Sequence, residues 1–207
     1  MYDGIDVAVW QGAIDWKKVR SDGVRFAMIK ATQGREENGS GYLFTDKYFA
    51  KNMTGATNAG LYCGSYHYLT AQDEEQARAE ARYYLSMIRP FRSIHLLWAA
   101  VDVESDQYLP ADPARLRAVV NTFCDLVNRS GFIAMVYTNP NYIKYKLRCE
   151  PQWDLWLAQW RDKRRGAPIG HPRLKIWQWG ASAVNGIKNN VDSNVGAFWL
   201  PAEDFRA

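Results

Sequence analysis

Five runs of β-branched, aromatic and other apolar residues recur before position 140, with helix-like segments between them: 4–10, 25–31, 61–69, 95–104 and 132–138. That alternation is the signature of repeated β-α units around a parallel sheet. A short helix is expected near Asp15 to Ser21. A longer one covers Gln72 to Ile88, with Ala77, Ala81, Leu85 and Ile88 on one stripe. Another opens on Asp112 as N-cap with Pro113 in its first turn, carries Leu116, Val120, Phe123 and Val127 on its apolar face, and stops at Gly131. After position 150 the pattern changes. Asp154 to Trp160 and Leu174 to Trp179 read as strands with no helix between them, and turns at Asn185-Gly186 and Lys188 to Asn190 give a hairpin-like finish. About eight strands and five helices, in a chain shorter than the ~250 residues of a full barrel, predict an α/β fold: a single-domain, abbreviated and irregular TIM-like barrel over residues 1–207. An open doubly wound sheet is the alternative. No internal repeat or interdomain linker is visible.

Composition narrows the class. With 47% apolar and 23% charged residues, the chain has the balance of a globular protein. The longest apolar stretch, Leu96 to Val101, is strand-sized, so no membrane-spanning helix is expected. The N-terminal residues lack a basic n-region, an apolar h-region and a cleavage site, which predicts synthesis in the cytoplasm without a signal peptide. Cys63, Cys124 and Cys149 form no C-x-x-C pair and are expected to be reduced, buried and inert. His67, His95 and His171 are dispersed, so no metal is expected, and no phosphate-cradling glycine loop follows a strand, so no cofactor is expected either. Net charge is +4, with a basic run from Arg161 to Lys175. It reads as a solvated face, or else as a patch attracted to a polyanion. No nucleic-acid motif accompanies it.

The chemistry centres on carboxylates. Val101-Asp102-Val103-Glu104 closes a long apolar strand with acids at i and i+2, which share a face in a strand. The C-terminal end of a barrel strand is also where active sites assemble. Asp6 lies between Ile5 and Val7 inside the first strand, where an unpaired charge is costly; by period two, Asp6, Ala8 and Trp10 are expected to share a face. Asp192 follows the terminal hairpin and reads equally well as an ordinary turn residue. Aromatic rings gather at strand ends, among them Trp10, Tyr66, Tyr68, Tyr137, Trp156, Trp160, Trp177 and Trp179. They suit the faces of sugars, although about half are expected to be structural. Gln178, between two tryptophans, is expected to be the polar group that fixes orientation.

The ordered series Gly4 to Gly12, Ile14-Asp15-Trp16, Ile29 to Thr32, Gly64 to Tyr68, Asp102-Val103-Glu104, Tyr137-Thr138, Trp156-Leu157-Ala158, Trp177-Gln178-Trp179 and Val191 to Asn194 resembles glycoside hydrolase family 25, the Chalaropsis-type lysozymes and phage endolysins. The resemblance covers nearly the whole chain. It implies a (β/α)5β3 barrel that hydrolyses the β-1,4 bond from N-acetylmuramic acid to N-acetylglucosamine in peptidoglycan, as a monomer and without cofactor. It implies Glu104 as general acid, Asp102 as its partner, Asp6 and Asp192 as flanking catalytic carboxylates, and Trp10, Tyr66, Tyr137, Trp156 and Gln178 along the substrate groove. One departure stands out: many members read Lys-Ala-Thr-Glu-Gly where this chain has Lys30-Ala31-Thr32-Gln33-Gly34, which should alter the rim of the groove more than the chemistry. No separate wall-binding domain is visible, and release through a membrane pore is implied if the chain is an endolysin.

Glycosidic cleavage needs two carboxyls in different protonation states. A reach into a partly apolar setting would raise the pKa of Glu104, while Asp102 stays ionised. Substrate-assisted, covalent and inverting routes remain open. A chitinase-like hydrolase is a rival, but its D-x-D-x-E motif would need aspartate at Ala100. A non-catalytic glycan-binding barrel is another, but it would be expected to have lost its acid.

Overall fold

Side chains along residues 98–101 divide by parity. Ala99 and Val101 pack in the layer shared with the helices, whereas Trp98 and Ala100 pack in a second, smaller cluster with Phe26, Met28, Met135, Trp156 and Ile176. The second cluster is the inside of a barrel. A computed structural model describes residues 1–35, 42–168 and 170–196. In chain order the elements are β1 (Tyr2–Val7), α1 (Trp16–Ser21), β2 (Phe26–Arg35), β3 (Tyr42–Thr45), α2 (Phe49–Asn58), β4 (Tyr62–Tyr68), α3 (Glu74–Ile88), β5 (His95–Asp102), α4 (Pro113–Arg129), β6 (Ala134–Thr138), a π-helical turn (Tyr142–Leu147), β7 (Asp154–Ala158), β8 (Leu174–Ser182) and β9 (Val191–Gly196).

Parallel pairing runs β1-β2-β4-β5-β6-β7-β8, and β9 closes the ring by pairing antiparallel with both β8 and β1. The result is an eight-stranded barrel in which five strands are each followed by a helical segment and three are not. It is the irregular (β/α)5β3 barrel expected. Closure removes both sheet edges, and the short β3 pairs on the outside of the long β2.

Capping follows the chemistry of the sequence. The side chain of Asp15 accepts from the backbone N–H of Lys18, that of Asp73 from Gln76 and that of Asp112 from Arg115. Helix α4 ends at Arg129 with Gly131 just beyond, at φ +80°.

Several expectations need correction. β3 and α2 were not anticipated. α2 contains Thr, Asn and Gly, weak helix formers, and is held by packing instead: Phe49, Met53 and Ala56 enter the outer core, and Gly55 lets Trp16 lie against the helix, since a Cβ there would sit 2.6 Å from the indole. β1 ends at Val7, not Trp10. The Gln11 side chain accepts the Ala8 N–H at 2.8 Å and Asp46 accepts the Val9 N–H at 2.6 Å, taking backbone donors that a continuing strand would place in its ladder. Asp6, Ala8 and Trp10 therefore do not share a strand face; the chain enters a short 3-10 turn and Trp10 projects 74% exposed. Cys63 and Cys124 are buried as expected, but Cys149 is exposed. Asp192 lies within the last strand rather than in the turn before it.

Part of the basic run is ion-paired, once within the run and twice to acids outside it. Arg164 pairs with Asp162 at 2.9 Å, Lys163 with Asp3, and Lys175 with Asp154 at 4.0 Å. Exposed pairs of this kind contribute little.

The barrel interior is filled to the point where glycine becomes obligatory. A Cβ on Gly4 would lie 2.3 Å from ring atoms of Phe26, and one on Gly64 2.7 Å from the Met28 sulfur. Neither residue has positive φ, so steric room alone dictates the glycine. Gly4→Ala is expected to destabilise by about 1–3 kcal/mol through overpacking. Thermal melting should register the loss, and Gly4→Ala combined with Phe26→Leu should recover part of it.

Candidate active site

Register gathers the acids at one end of the barrel. Across β1 and β9, Asp6 is paired with Asp192; along β5, Asp102 lies between Tyr68 of β4 and Tyr137 of β6. The strand's alternation persists past its last ladder residue because the Val103 N–H donates to the Tyr137 carbonyl at 2.9 Å and the Thr138 hydroxyl donates to the Val103 carbonyl at 2.7 Å. Val103 is buried in the outer core. Asp102 and Glu104 therefore turn to the other side, where both line one cavity of about 250 Å³ with Trp10, Lys30, Tyr66 and Tyr68.

Each acid has a different setting. Asp6 is buried, and its Oδ2 accepts from the side-chain amides of Asn194 at 2.7 Å and Gln178 at 3.0 Å. Burial, then the charge of Asp192, raises its pKa to about 7, and the two amides hold it from rising further. Asp102 is buried, with Oδ1 accepting no hydrogen bond. Burial pushes it well above the usual carboxylate range, Glu104 adds to the rise, and Lys30 opposes it. Glu104 stands exposed beyond the strand. Desolvation by the groove and the charge of Asp192 raise it, again against Lys30. Asp192 is half-buried and raised by desolvation. Like charges brought together out of water favour protonated forms, so the cluster holds protons that separate surface acids would shed. The expectation that Asp102 stays readily ionised does not match a group pushed upward this strongly.

The aromatic and amide residues divide between contact and support. Trp10 and Tyr66 line the cavity. Trp156 is placed differently from the expectation of groove contact: it is 1% exposed, donates its indole N–H to Asn194 at 2.8 Å, and packs edge-on against Tyr66 and Tyr137 with centroids 5.9 and 4.5 Å away. It backs the site. Gln178 is also buried and fixes protein groups: its carbonyl oxygen accepts from the Tyr137 hydroxyl at 3.2 Å and the Trp160 indole at 3.0 Å, while its N–H donates to Asp6. Burial holds the Tyr66 and Tyr137 phenols far above their ordinary pKa, so both remain neutral.

Three contributors escaped the sequence reading. Lys30 donates to Gln33 at 2.7 Å, lies 5.2 Å from the Tyr68 ring centroid and acts on both Asp102 and Glu104. Its position within the apolar run 25–31 was the available signal. Asn194 links Trp156 to Asp6, and Asp46 pins the turn that carries Trp10. Neither has a local sequence signal, because each acts across a long separation. Among the described residues, no three or more His, Cys, Asp or Glu side chains are grouped to hold a metal ion.

The geometry can be set beside known proteins. A family model described as "Glycosyl hydrolases family 25" matches residues 5–187. The chain is similar to Lysozyme M1 of Streptomyces globisporus, 29% identical over 92% of this chain and 66% of the relative, and to the autolytic lysozyme of Clostridium acetobutylicum, 30% identical over 91% and 54%. It thus spans less than two thirds of the length of either. The crystal structure of the bacterial lysozyme from Streptomyces coelicolor superposes with a TM-score of 0.76 at 26% identity, covering 95% of this chain and 92% of that one.

The raised pKa of Asp6 makes a thermodynamic demand. Its folded value of about 7 exceeds the ordinary aspartate value of 3.8, so between those limits the folded state binds the proton better. Stability lost to ionising Asp6 is absent below the lower value, grows as pH rises through the window, and is complete above the upper one. Asp6→Asn keeps an acceptor for both amides and removes the charge. Its melting temperature is expected to match the parent near pH 4 and to exceed it at pH 8, reflecting a stability gain on the order of a few kcal/mol at about 1.4 kcal/mol per pKa unit. Equal melting at both pH values would show that Asp6 carries no such burden.

Proposed function

The chain belongs to glycosyl hydrolases family 25, and from that premise we propose that it is an N-acetylmuramidase cleaving the β-1,4 bond between N-acetylmuramic acid and N-acetylglucosamine in bacterial peptidoglycan. The observation that carries this reading is the pairing of an exposed acid with a buried, hydrogen-bond-deficient one in a single cavity: Glu104 and Asp102.

Glu104 is the general acid. Its raised pKa keeps a proton available for the glycosidic oxygen as the bond breaks. Asp102 Oδ1, buried and without a donor, is suited to accept the N–H of the substrate's acetamido group. That contact would relieve an unsatisfied buried acceptor and orient the acetamido carbonyl toward the anomeric carbon, which favours the substrate-assisted route. Asp6 and Asp192 supply negative potential beside the developing oxocarbenium ion, with Asp6 held still by Gln178 and Asn194. Trp10 offers an exposed ring at the rim for a sugar face. The rival chitinase motif would place a carboxylate at position 100, where Ala100 is fully buried in the apolar barrel interior. The lysozyme and autolytic lysozyme relatives support action on the bacterial cell wall. No helix among the described residues is long and apolar enough to cross a membrane.

Glu104→Gln preserves shape and removes the transferable proton. Reducing-end release from peptidoglycan is expected to fall by at least ~10² to 10⁴-fold, the usual contribution of general acid catalysis, with melting unchanged. Mass spectrometry of parental digests should find N-acetylmuramic acid at the new reducing ends. Near-parental activity in a folded Glu104→Gln protein would remove the acid from this scheme. Lys30 supplies a second check, because its cation favours ionised Glu104. Lys30→Met should raise the pKa of the acid and shift the alkaline limb of the kcat/KM profile to higher pH; a limb that stays put or moves down contradicts the role.

A further inference from the structure

β2 does not keep one alternation along its length. Phe26 and Met28 point into the barrel, and Lys30 follows them into the cavity. The register against β4 then shifts between Lys30 and Thr32. Past that bulge Thr32 turns away to hydrogen-bond His67 at 2.7 Å, and Gln33 and Arg35 join Lys30 in lining the cavity that holds Asp102 and Glu104. Strict period two would have sent Thr32 and Gly34 there instead. Bulges commonly re-aim side chains beside active sites, and here one brings a second cation to the same wall.

Arg35 is anchored at the edge of the cavity. Its backbone N–H donates to the Thr70 hydroxyl at 3.0 Å, its carbonyl accepts from the Gln33 amide at 2.9 Å, and its guanidinium lies 5.7 Å from the Tyr42 ring centroid. Thr70 is fixed in turn by Glu80, a fully buried carboxylate that also bonds His67 and Tyr42. Gly34 is what lets the strand pass this close, since a Cβ there would lie 2.0 Å from the Thr70 hydroxyl. Despite this anchoring, the Arg35 Nε is buried with no hydrogen-bond partner among the described residues. The residue nevertheless lines the cavity, so the outer end of the guanidinium is the part a ligand can meet.

Building on the muramidase reading, we propose that Lys30 and Arg35 form a subsite for a carboxylate on the side substituent of the muramyl ring. Muramic acid differs from glucosamine by an O3-linked lactyl group. That group carries its own carboxylate or, once joined to a stem peptide, the carboxylates of the peptide. A cavity lined by Asp102 and Glu104, with Asp6 and Asp192 acting on them, disfavours an anionic sugar, so selecting one calls for a local cation. A guanidinium meets a carboxylate with two parallel N–H donors. The wall therefore discriminates the muramyl ring from the uncharged glucosamine ring at the place where the bond is cut.

The test uses peptide-stripped glycan and peptide-bearing glycan, each in its carboxylate form and with the carboxyls amidated. Reducing-end release gives kcat/KM for the full chain, Arg35→Gln and Arg35→Lys, with melting to verify the fold of each. The parent is expected to favour a carboxylate form over its amidated counterpart by about tenfold, a hydrogen bond to a charged group being sufficient for that, with the difference in KM. Arg35→Gln should bring the ratio within about twofold, and Arg35→Lys should retain part of it. Preference confined to stripped glycan assigns the lactyl carboxylate; preference confined to peptide-bearing glycan assigns the stem. Cleavage of all four substrates with the same ratios in parent and Arg35→Gln overturns the subsite and leaves the muramidase reading intact. No reducing ends from any substrate overturns that reading itself.

Discussion

Carboxylates crowded out of water at one end of a barrel repel one another, and much of the surrounding structure offsets that repulsion. Two side-chain amides converge on one oxygen of Asp6. Both are themselves fixed: Gln178 by Tyr137 and Trp160, Asn194 by the indole of Trp156. Neutral donors of this kind stabilise a charge without cancelling it, so the negative potential needed for glycosidic chemistry survives burial. Lys30 acts on the Asp102 and Glu104 side instead. The acids are thereby divided into an amide-held Asp6 with Asp192 opposite it, and a cation-tempered pair at the end of β5.

Barrel closure makes this division possible. β9 enters antiparallel between β8 and β1, which sets Asp192 opposite Asp6 and brings Asn194 within reach of both Asp6 and Trp156. A purely parallel eight-stranded ring would need another crossover at this point. The three strands that end the chain dispense with covering helices, and the last of them contributes an acid and the amide that steadies its neighbour.

The same economy operates on the outside of β2 and β4. Glu80 reaches from α3 to bond His67, Thr70 and Tyr42, tying a helix, two strands and the β3 hairpin into one network beneath the groove wall. His67 stacks on Phe123 of α4 at 5.1 Å. A network that joins so many elements fixes the path of β2 past its bulge, and with it which side chains face the cavity.

The parity of Asp102 and Glu104, the helix cap at Asp112, and the change of pattern after position 150 were legible in the sequence because each follows from local periodicity or from contacts within one turn. Asp6 was also legible, as a charge inside an apolar run. What the sequence could not disclose depends on residues far apart in the chain. Trp10 left its strand because Asp46, 37 residues from Val9, captured the Val9 backbone donor. Trp156 went to the interior because its indole found Asn194, 38 residues on. Arg35 reached the cavity only because β2 slips by one residue against β4, and a one-residue slip exchanges the faces of everything that follows. Local pattern determined most of the barrel strands and set Asp102 and Glu104 on one face; tertiary pairing decided which other acids join them and which side chains line the cavity, because orientation at a bulge or a strand end is settled by the partner and not by the segment itself.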